Sequence, residues 1–302
     1  MIKIKVPATS ANMGPGFDTL GVALNLFNTI SVEKTKDNVH SVSWENGKVE
    51  VEDIDNYVKL TLDNILSKYG FEDTGYNLTM GECQIPISRG LGSSAASIVA
   101  GIFAANYLMD FKLSTPEIIH LATEIEGHPD NVVPTILGNM VISCLDHDSH
   151  KVFYSTVDFP DEIQFKVLIP DFRVSTRDAR KVLPTEYSLS QCVNNISRVS
   201  MLINALNTRN YDLLSFSLKD EIHEPYRIKL IHESDIIMQK LKETNVVGSF
   251  ISGAGPTLIG LVKCEDTEFD LIFNPFLKTL NHAWMLKSLT VNKNGTTYEL
   301  LE

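Results

Sequence analysis

The sequence predicts an α+β protein made of two lobes. The chain has 302 residues, and a single hydrophobic core stops growing at about 250–300 residues, so two lobes are expected. Strand-like segments precede helical segments in the first half, and the same order returns in the second half, which is typical of α+β folds rather than of a doubly wound sheet. The sequence Phe-Pro-Asp-Glu at 159–162 breaks the pattern between the halves. The lobes are therefore expected to span residues 1–159 and 160–302.

The first lobe is predicted to contain a mainly antiparallel sheet. Alternating or β-branched residues mark its strands at Ile2–Val6, Ala23–Glu33, Val39–Trp44 and Tyr76–Ile87. Apolar residues at helical spacing predict a helix over 55–69, and an apolar run predicts a buried helix over 93–109. A third helix is expected to begin at the capping box of Ser114 and Glu117 and to stop at Gly127.

The second lobe is predicted to start with the strand Gln164–Pro170. Helical patterns follow over 189–207, 210–220 and 232–244. A strand with a glycine-rich turn is expected over 248–260, and a strand–helix–strand run completes the chain to Glu302.

The charge and hydropathy patterns exclude several classes of protein. With 38 acidic and 26 basic side chains, the net charge of −12 disfavours binding to nucleic-acid phosphates. The longest small and apolar stretch, Ala95–Met109, has 15 residues and is shorter than the ~20 needed to span a membrane. The N-terminus lacks the apolar region of a signal peptide. We therefore expect a cytoplasmic protein that binds neither nucleic acid nor a membrane.

The cysteines show no motif. Each is more than 45 residues from the next, which excludes the usual spacings of zinc and redox sites. Four reduced, buried thiols are expected, at Cys83, Cys144, Cys192 and Cys264.

A glycine-rich segment between a predicted strand and the buried helix carries the strongest functional signal. The segment Pro86–Ala96 reads PISRGLGSSAA. Glycines let the backbone approach a ligand closely, and the start of a helix offers unpaired N–H groups to an anion. The pattern predicts a phosphate-binding loop. The alternative is a tight strand-to-helix turn in which Ser93 or Ser94 caps the helix.

Two other nucleotide-binding loops fit poorly. A Walker A loop needs Gly-Lys-Ser/Thr after its last glycine, and the chain contains no such triplet. A dinucleotide loop matches Gly90, Gly92 and Ala95, with Asp110 twenty residues after Gly90. However, Asp110 ends the same helix instead of a following strand, and the loop is not the first strand-to-helix turn of the chain.

Three blocks in order resemble the GHMP small-molecule kinases. They are the glycine-rich loop, the N-terminal block Pro7–Gly21 and the C-terminal block Gly248–Thr257. The first block, together with Glu126–Asn131 and His223–Arg227, is similar to family members that phosphorylate L-homoserine. The similarity covers essentially the whole chain. It implies a ribosomal-protein-S5-like N-terminal lobe, a ferredoxin-like C-terminal lobe, and a cleft between them for nucleotide and substrate.

The resemblance implies ATP as the co-substrate and Mg²⁺ as the cofactor. The ATP phosphates are expected on Pro86, Ile87, Ser88, Arg89, Gly90, Leu91, Gly92, Ser93, Ser94, Ala95 and Ala96. Mg²⁺ prefers hard oxygen ligands, and the family-like ones are Ser94 and Glu126. Only Gly127 separates Glu126 from His128, where some members carry an insertion, so Glu124 remains an alternative ligand. The implied supports of the phosphate loop are Ser252, Gly253 and Gly255.

Homoserine carries a carboxylate, an ammonium group and the hydroxyl that accepts the phosphoryl group. The resemblance implies that Asn12 and Asp18 contact the substrate, with Asp18 facing the ammonium group. A guanidinium fork suits a carboxylate, and the family-like positions are Arg180 and Arg227. Arg177, three residues before Arg180, remains an alternative. The implied pocket is completed by His128 and Asn131.

The implied reaction is ATP-dependent phosphorylation of homoserine to O-phospho-L-homoserine, the step before threonine synthesis. The candidate catalytic residues are Asn131, His128 and Asp130. Phosphoryl transfer depends mainly on positioning and charge stabilisation, so we expect direct attack of the hydroxyl, oriented by Asn131 and His128. Asp130 remains the alternative as a general base, a role assigned to an aspartate near this block in several related kinases. A homodimer is expected from the resemblance alone.

Three other functions remain open at this stage. A GHMP kinase could act on another alcohol, such as mevalonate or a sugar, although two arginines suited to a carboxylate favour homoserine. A metabolite sensor could keep the fold without catalysis, but the loop and the metal ligands that it would lose first are present. A nicotinamide oxidoreductase is the third, and it would not bind ATP.

Overall fold

The computed structural model describes residues 1–45 and 52–301, with side chains described outside 52–56. Within these residues the strands form two sheets, one of seven strands and one of four. The α+β class is confirmed. A large apolar core lies against the first sheet and continues onto one face of the second sheet. A smaller core covers the other face of the second sheet.

The first sheet is largely antiparallel, as predicted. Its strands in the first half of the chain are β1 (Ile2–Ala11), β2 (Leu20–Lys34), β3 (His40–Trp44), β4 (Tyr76–Cys83), β5 (Met140–Leu145) and β6 (Val152–Val157). Only β3 and β4 pair in parallel, among the described strands. The pair β5–β6 was not predicted, and β1 extends five residues beyond its predicted end because its second half is buried on both faces and does not alternate.

Four helices pack on this sheet: α1 (Glu52–Lys68), α2 (Ser93–Leu108), α3 (Thr115–Glu126) and α4 (Pro129–Leu137). The predicted burial of α2 is confirmed along most of its length. The capping box is also confirmed, since the backbone N–H of Ser114 donates to Glu117 at 2.8 Å. Gly127 ends α3 with a left-handed φ of 90°. The helix α4 was not predicted, because it is short and contains two prolines.

The second sheet and its helices occupy most of the second half. The elements are β7 (Ile163–Pro170), α5 (Thr176–Lys181), α6 (Leu189–Asn207), α7 (Leu214–Ser217), α8 (Glu224–Arg227), α9 (Ser234–Lys242), β8 (Gly248–Ile251), β9 (Leu258–Lys263), α10 (Phe269–Leu277) and β10 (Trp284–Leu289). The sheet is antiparallel in the order β10-β7-β9-β8. The helix predicted over 210–220 is instead a 3₁₀ turn at 211–213 followed by the single turn α7.

The last strand, β11 (Thr297–Leu300), returns to the first sheet. It pairs antiparallel with β1, with Ile2 opposite Leu300. The change from one sheet to the other between β6 and β7 lies close to the expected boundary at 159/160, which stays a prediction. Residue Glu302, the predicted end of the final run, lies outside the described residues.

Two surface properties bear on the expectations above. Among the described residues, no helix combines the length and the apolar character that crossing a membrane requires. Within the described ranges, the cysteines form no disulfide, and the prediction that they are buried is wrong. Cys83, Cys144 and Cys264 are exposed and Cys192 is half-buried, because they lie at strand ends and on outward faces that sequence spacing does not reveal.

Candidate active site

The N-terminal block forms a turn after β1 that reaches the second lobe. Asn12 is buried and has a left-handed φ of 71°. Its side-chain amide donates to the carbonyl of Gly253 at 2.8 Å, and its side-chain oxygen accepts the backbone N–H of Asp18 at 3.0 Å. Asn12 therefore fixes both the turn that carries Asp18 and the glycine-rich turn of the second lobe.

The glycine-rich loop has no room for side chains at two positions. A Cβ at Gly90 would lie 2.3 Å from the carbonyl oxygen of Ser252, and one at Gly92 would lie 2.0 Å from Thr9 Oγ1. Both glycines have left-handed φ values, 75° and 68°. Gly92 occupies the N-cap of α2, and no described side chain caps this helix. The alternative in which Ser93 or Ser94 caps the helix is therefore wrong.

The residues of the loop divide into two groups. Ser88, Gly90, Gly92, Ser93 and Ser94 line one cavity, and the first turn of α2 holds no acidic residue, which suits an anion. The other group turns away from this cavity. Its members Leu91, Ala95 and Ala96 are fully buried, Pro86 and Ile87 precede the turn, and Arg89 donates to the carbonyls of Pro170 and Asp171 at 2.9 and 2.6 Å.

The glycine-rich turn of the second lobe supports this loop. Ser252 Oγ donates to the carbonyl of Gly90 at 2.6 Å, and the N–H of Gly253 donates to the carbonyl of Ala11 at 3.1 Å. The N–H of Gly255 closes the turn on the carbonyl of Ser252 at 2.8 Å. The structure thus places these three residues against the loop and the end of β1; their role as supports of a phosphate site stays a prediction.

Ser94 and Glu126 meet across two helices. Ser94 Oγ donates to Glu126 Oε2 at 2.8 Å. Burial raises the pKa of Glu126, and the hydrogen bond from Ser94 and the neighbouring His128 offset this only in part. Glu124 points elsewhere, because it is 56% exposed and pairs with Lys68 at 2.9 Å. The geometry therefore brings Glu126, and not Glu124, to the loop.

A cation bound at Ser94 and Glu126 would need oxygen atoms as ligands. In the described part of the chain, no group of three or more His, Cys, Asp or Glu side chains is arranged to hold a metal ion. The hydroxyl of Ser94 and the buried carboxyl of Glu126 supply two hard oxygens. This set fits Mg²⁺, which keeps waters and phosphate oxygens among its ligands and needs only one or two protein groups.

The start of α4 joins three candidate catalytic residues. His128 Nδ1 lies 2.6 Å from Asp130 Oδ1, and the amide of Asn131 donates to the same oxygen at 3.4 Å. Asp130 is 2% exposed. Burial lowers the pKa of His128, but the hydrogen bond and charge of Asp130 outweigh burial and raise it overall. Thr9 Oγ1 donates to Asn131 Oδ1 at 2.8 Å, which fixes the orientation of the amide.

Asp18 and Arg180 form a bidentate ion pair. Arg180 Nη1 and Nη2 donate to the two carboxylate oxygens at 2.9 and 2.8 Å, and the side chains are 39% and 33% exposed. Both residues line the cavity. Arg177 is exposed and does not line it, so the structure favours Arg180 over Arg177 as the pocket arginine.

Arg227 is a buried cation of the site. Its side chain is 2% exposed, and it donates to the carbonyls of Ala179 and Gly253 at 3.2 and 3.1 Å. Burial and the charge of Arg180 lower its pKa. The ring of Phe17 lies 5.0 Å from the Arg227 guanidinium and 5.5 Å from that of Arg180. The two guanidinium groups therefore share one aromatic neighbour.

Most of the predicted residues outside the buried part of the loop line one cavity of about 120 Å³. Sequence reasoning assigned no role to some of its lining residues, Ala11, Val174, Thr176 and Ala254. A second cavity of about 520 Å³ adjoins it at Ser93, Ser94 and Glu126 and is walled by Tyr57, Ile87, Ile98 and Ile125. Two residues without a predicted role are Thr176, which lines the first cavity, and Thr9, which contacts Asn131. Both lie inside sequence blocks already singled out, PATSAN and STRDAR, and their position in these blocks could have identified them.

The chain is similar to known kinases over its whole length. The GHMP kinases N terminal domain matches residues 56–139, and the GHMP kinases C terminal domain matches residues 201–271. A homoserine kinase of Clostridium novyi is 43% identical over 295 residues, which cover 98% of each chain. The crystal structure of homoserine kinase from Cytophaga hutchinsonii superposes with a TM-score of 0.85 at 29% identity, covering 99% of this chain and 97% of that one. A putative homoserine kinase of Listeria monocytogenes gives 0.79 at 29% identity, with full coverage of both chains.

Proposed function

The chain belongs to the homoserine kinase family of the GHMP kinases, and we propose from this membership that it transfers the γ-phosphoryl group of ATP to the side-chain hydroxyl of L-homoserine. The product is O-phospho-L-homoserine, an intermediate of threonine biosynthesis. ATP and homoserine are its two small-molecule partners. The cytoplasmic location and the homodimer stay predictions.

One observation carries the proposal. A single cavity has a glycine loop and a helix start at one end and a carboxylate with two guanidinium groups at the other. The first end suits phosphates, because backbone N–H groups and the helix dipole favour negative charge. The second end suits a zwitterion, because Asp18 can accept an ammonium group while Arg180 and Arg227 receive a carboxylate. Homoserine has both charges and a hydroxyl that can extend toward the loop.

The ion pair between Asp18 and Arg180 favours a ligand that carries both charges. Separating this pair leaves one carboxylate and one guanidinium group without a partner in the cavity. A zwitterion offers each group an opposite charge, whereas a neutral alcohol such as a sugar offers hydrogen bonds but no compensating charge. The pair therefore supports an amino-acid substrate over the alcohols that other GHMP kinases phosphorylate.

Ser94 and Glu126 are proposed to hold Mg²⁺. The buried carboxyl of Glu126 has Ser94 as its hydrogen-bonding partner. Burial raises the pKa of this carboxyl, and a cation beside it would favour the charged form. Bound Mg²⁺ neutralises charge on the phosphate oxygens during transfer. The apolar walls of the adjoining cavity, at Tyr57, Ile98 and Ile125, are suited to the adenine ring.

Asn131 and His128 are proposed to orient the substrate hydroxyl. The hydroxyl oxygen attacks the γ-phosphorus, ADP leaves, and the hydroxyl proton passes to an oxygen of the transferred group. Asp130 is nearly inaccessible and already accepts hydrogen bonds from His128 and Asn131. These contacts favour a role in holding the other two side chains over a role as general base.

A coupled assay of ADP release tests the proposed function. The purified chain is supplied with ATP, Mg²⁺ and, in separate reactions, homoserine, mevalonate, shikimate or galactose. We expect turnover with homoserine alone. Turnover with mevalonate or galactose but not with homoserine would indicate another GHMP kinase. ATP binding without turnover on any alcohol would indicate a sensor, and absence of ATP binding would remove the kinase proposal altogether.

A further inference from the structure

Glu224 lies outside the cavity but joins its two ends. It is the first residue of α8, and Arg227 is the last. Its carboxyl oxygen Oε1 accepts the backbone N–H of Ile251 at 2.6 Å. Ile251 ends β8, the edge strand of the second sheet. One side chain thus ties the helix that carries the buried arginine to the strand that leads into the glycine-rich turn.

The position of Ile251 at the edge of the sheet explains why its backbone N–H needs a side chain as hydrogen-bond acceptor. The strand β8 pairs with β9 on one side, and the N–H of the next residue, Ser252, donates toward that side, to the carbonyl of Thr257 at 3.0 Å. Since successive N–H groups of a strand point in opposite directions, the N–H of Ile251 faces away from the sheet. Glu224 satisfies this edge group and fixes the end of β8 against α8.

Both ends of the cavity contact the residues that follow Ile251. Ser252 donates to the carbonyl of Gly90 in the phosphate loop at 2.6 Å. The carbonyl of Gly253 accepts hydrogen bonds from Arg227 at 3.1 Å and from Asn12 at 2.8 Å. A shift of β8 along α8 would therefore change the position of the phosphate loop relative to the arginine.

We propose that Glu224 is a positioning residue that couples the binding of nucleotide phosphates to the binding of the amino-acid carboxylate. The proposal rests on the proposed function, because it takes Gly90 as part of the phosphate site and Arg227 as a carboxylate ligand. Coupling between two sites is reciprocal and typically about 5–150-fold in affinity. We expect homoserine to bind at least about fivefold more tightly when the nucleotide site is filled, and this gain depends on the contact between Glu224 and Ile251.

Two substitutions of Glu224 distinguish the effect of its hydrogen bond with Ile251 from the effect of its charge. Burial raises the pKa of Glu224 to about 8, and the charge of Asp220 acts in the same direction, so the carboxyl is largely neutral at pH 7. Glu224→Gln keeps a neutral side chain of the same length with an oxygen acceptor for Ile251. Glu224→Asp keeps the carboxyl but shortens the side chain by one methylene, which withdraws the acceptor from the N–H.

Isothermal titration calorimetry on the full chain measures the coupling. The Kd of homoserine is determined without nucleotide and with a saturating non-hydrolysable ATP analogue and Mg²⁺, and the ratio of the two values is the coupling factor. We expect Glu224→Gln to keep the wild-type ratio and Glu224→Asp to bring it close to one. Glu221→Gln is the matched control, because Glu221 stands three residues earlier and pairs with Arg198 at 3.0 Å, whereas the acceptor for Ile251 is Glu224.

The outcomes separate this proposal from the proposed function. Homoserine-dependent ADP release by the wild-type chain is measured first, and its absence contradicts the proposed function. If turnover is present, a wild-type ratio of one, or a ratio unchanged in Glu224→Asp, overturns the coupling role. Equal losses in Glu224→Asp and Glu221→Gln would show a general destabilisation of the 220–224 segment and would also overturn it. Thermal unfolding of each variant confirms that folded proteins are compared.

Discussion

The two ends of the cavity are made of different parts of the chain. The end that we propose to bind the nucleotide, called the nucleotide end, is mostly backbone: two glycines with left-handed φ and the start of α2. The end that we propose to bind homoserine, called the amino-acid end, is mostly charged side chains, with Asp18 paired to Arg180 and Arg227 buried beside them. Glycine lets the backbone approach a large, highly charged ligand closely, so a glycine there tolerates no substitution. Charged side chains, in contrast, distinguish one small alcohol from another. We infer that the first end sets the reaction and the second sets the substrate.

The largest expected effect tests the acidic side chain that we propose as a ligand of Mg²⁺ at the nucleotide end. Glu126→Gln removes the charge that would face Mg²⁺ while keeping the shape and an acceptor for Ser94. Because metal stabilisation of transition-state charge is worth several kcal/mol, we expect kcat to fall about 1000-fold. Initial rates measured against Mg²⁺ concentration check this.

Glu124→Gln is the matched control for that measurement. It lies on the same helix and removes only an exposed ion pair with Lys68, which contributes about 0–1 kcal/mol to stability. Loss of Mg²⁺-dependent turnover in Glu124→Gln, with Glu126→Gln active, would reassign the metal ligand.

A second substitution tests whether the backbone of the loop tolerates a side chain. Gly90→Ala adds a Cβ that would lie 2.3 Å from the carbonyl of Ser252, so the loop or the supporting turn must move. A displacement of about 1 Å at a reacting centre can cost about 100-fold, and we expect a loss of that size in kcat/KM for ATP. Steady-state kinetics at saturating homoserine measure it.

Gly70→Ala separates the steric conflict from backbone strain. Gly70 has nearly the same φ, 76°, but a Cβ there meets no described atom within 4 Å. We expect a small loss of thermal stability and unchanged kinetics. Equal kinetic losses in both variants would mean that close packing at Gly90 is unimportant.

The amino-acid end is tested by a substitution that should spare the nucleotide. Arg180→Gln removes a guanidinium group that would bind the carboxylate, and hydrogen bonds between charged groups contribute about 1.5–3 kcal/mol. We therefore expect the KM for homoserine to rise about 10-fold or more, with the KM for ATP nearly unchanged. Arg177→Gln, which is exposed and outside the cavity, should leave both values at the wild-type level. A larger effect from Arg177 would reverse the assignment.

The smallest expected effect concerns Asp130. If it holds His128 and Asn131 without accepting the substrate proton, Asp130→Asn should lower kcat less than about 10-fold, whereas loss of a general base costs about 100-fold or more. Single-turnover rates at saturating substrates distinguish the two. A loss of several orders of magnitude with homoserine binding retained would identify Asp130 as the base.

The nucleotide end was more predictable from sequence than the amino-acid end. Gly90, Gly92 and Ser94 stand in one short block whose residue pattern predicts the loop, although the contact of Ser94 with Glu126 spans 32 residues. Asp18 and Arg180 lie 162 residues apart, and although both were predicted to line the pocket, nothing in the sequence indicated that they pair with each other.

Contacts between residues that are distant in sequence explain the other differences between prediction and structure. The side chain of Arg89 stands in the phosphate loop by sequence, but it donates to backbone carbonyls at the end of β7. The contact between Thr9 and Asn131 spans 122 residues and has no local pattern. The short helix α4 was missed because Pro134 interrupts the helical signal, although tertiary contacts with β1 and β2 hold it in place.

The pairing of β11 with β1 has a consequence for how the two lobes can be separated. The polypeptide crosses between the sheets twice, once between β6 and β7 and once between β10 and β11. Opening of the cleft must therefore bend two connections together, which restricts rotation of one lobe about the other. A fragment cut at residue 159 would also leave the Ile2–Lys5 edge of β1 without its neighbour, and an open strand edge promotes aggregation. The C-terminal strand β11 thus completes the first sheet by pairing with β1. The N-terminal turn of the site extends from this same strand β1.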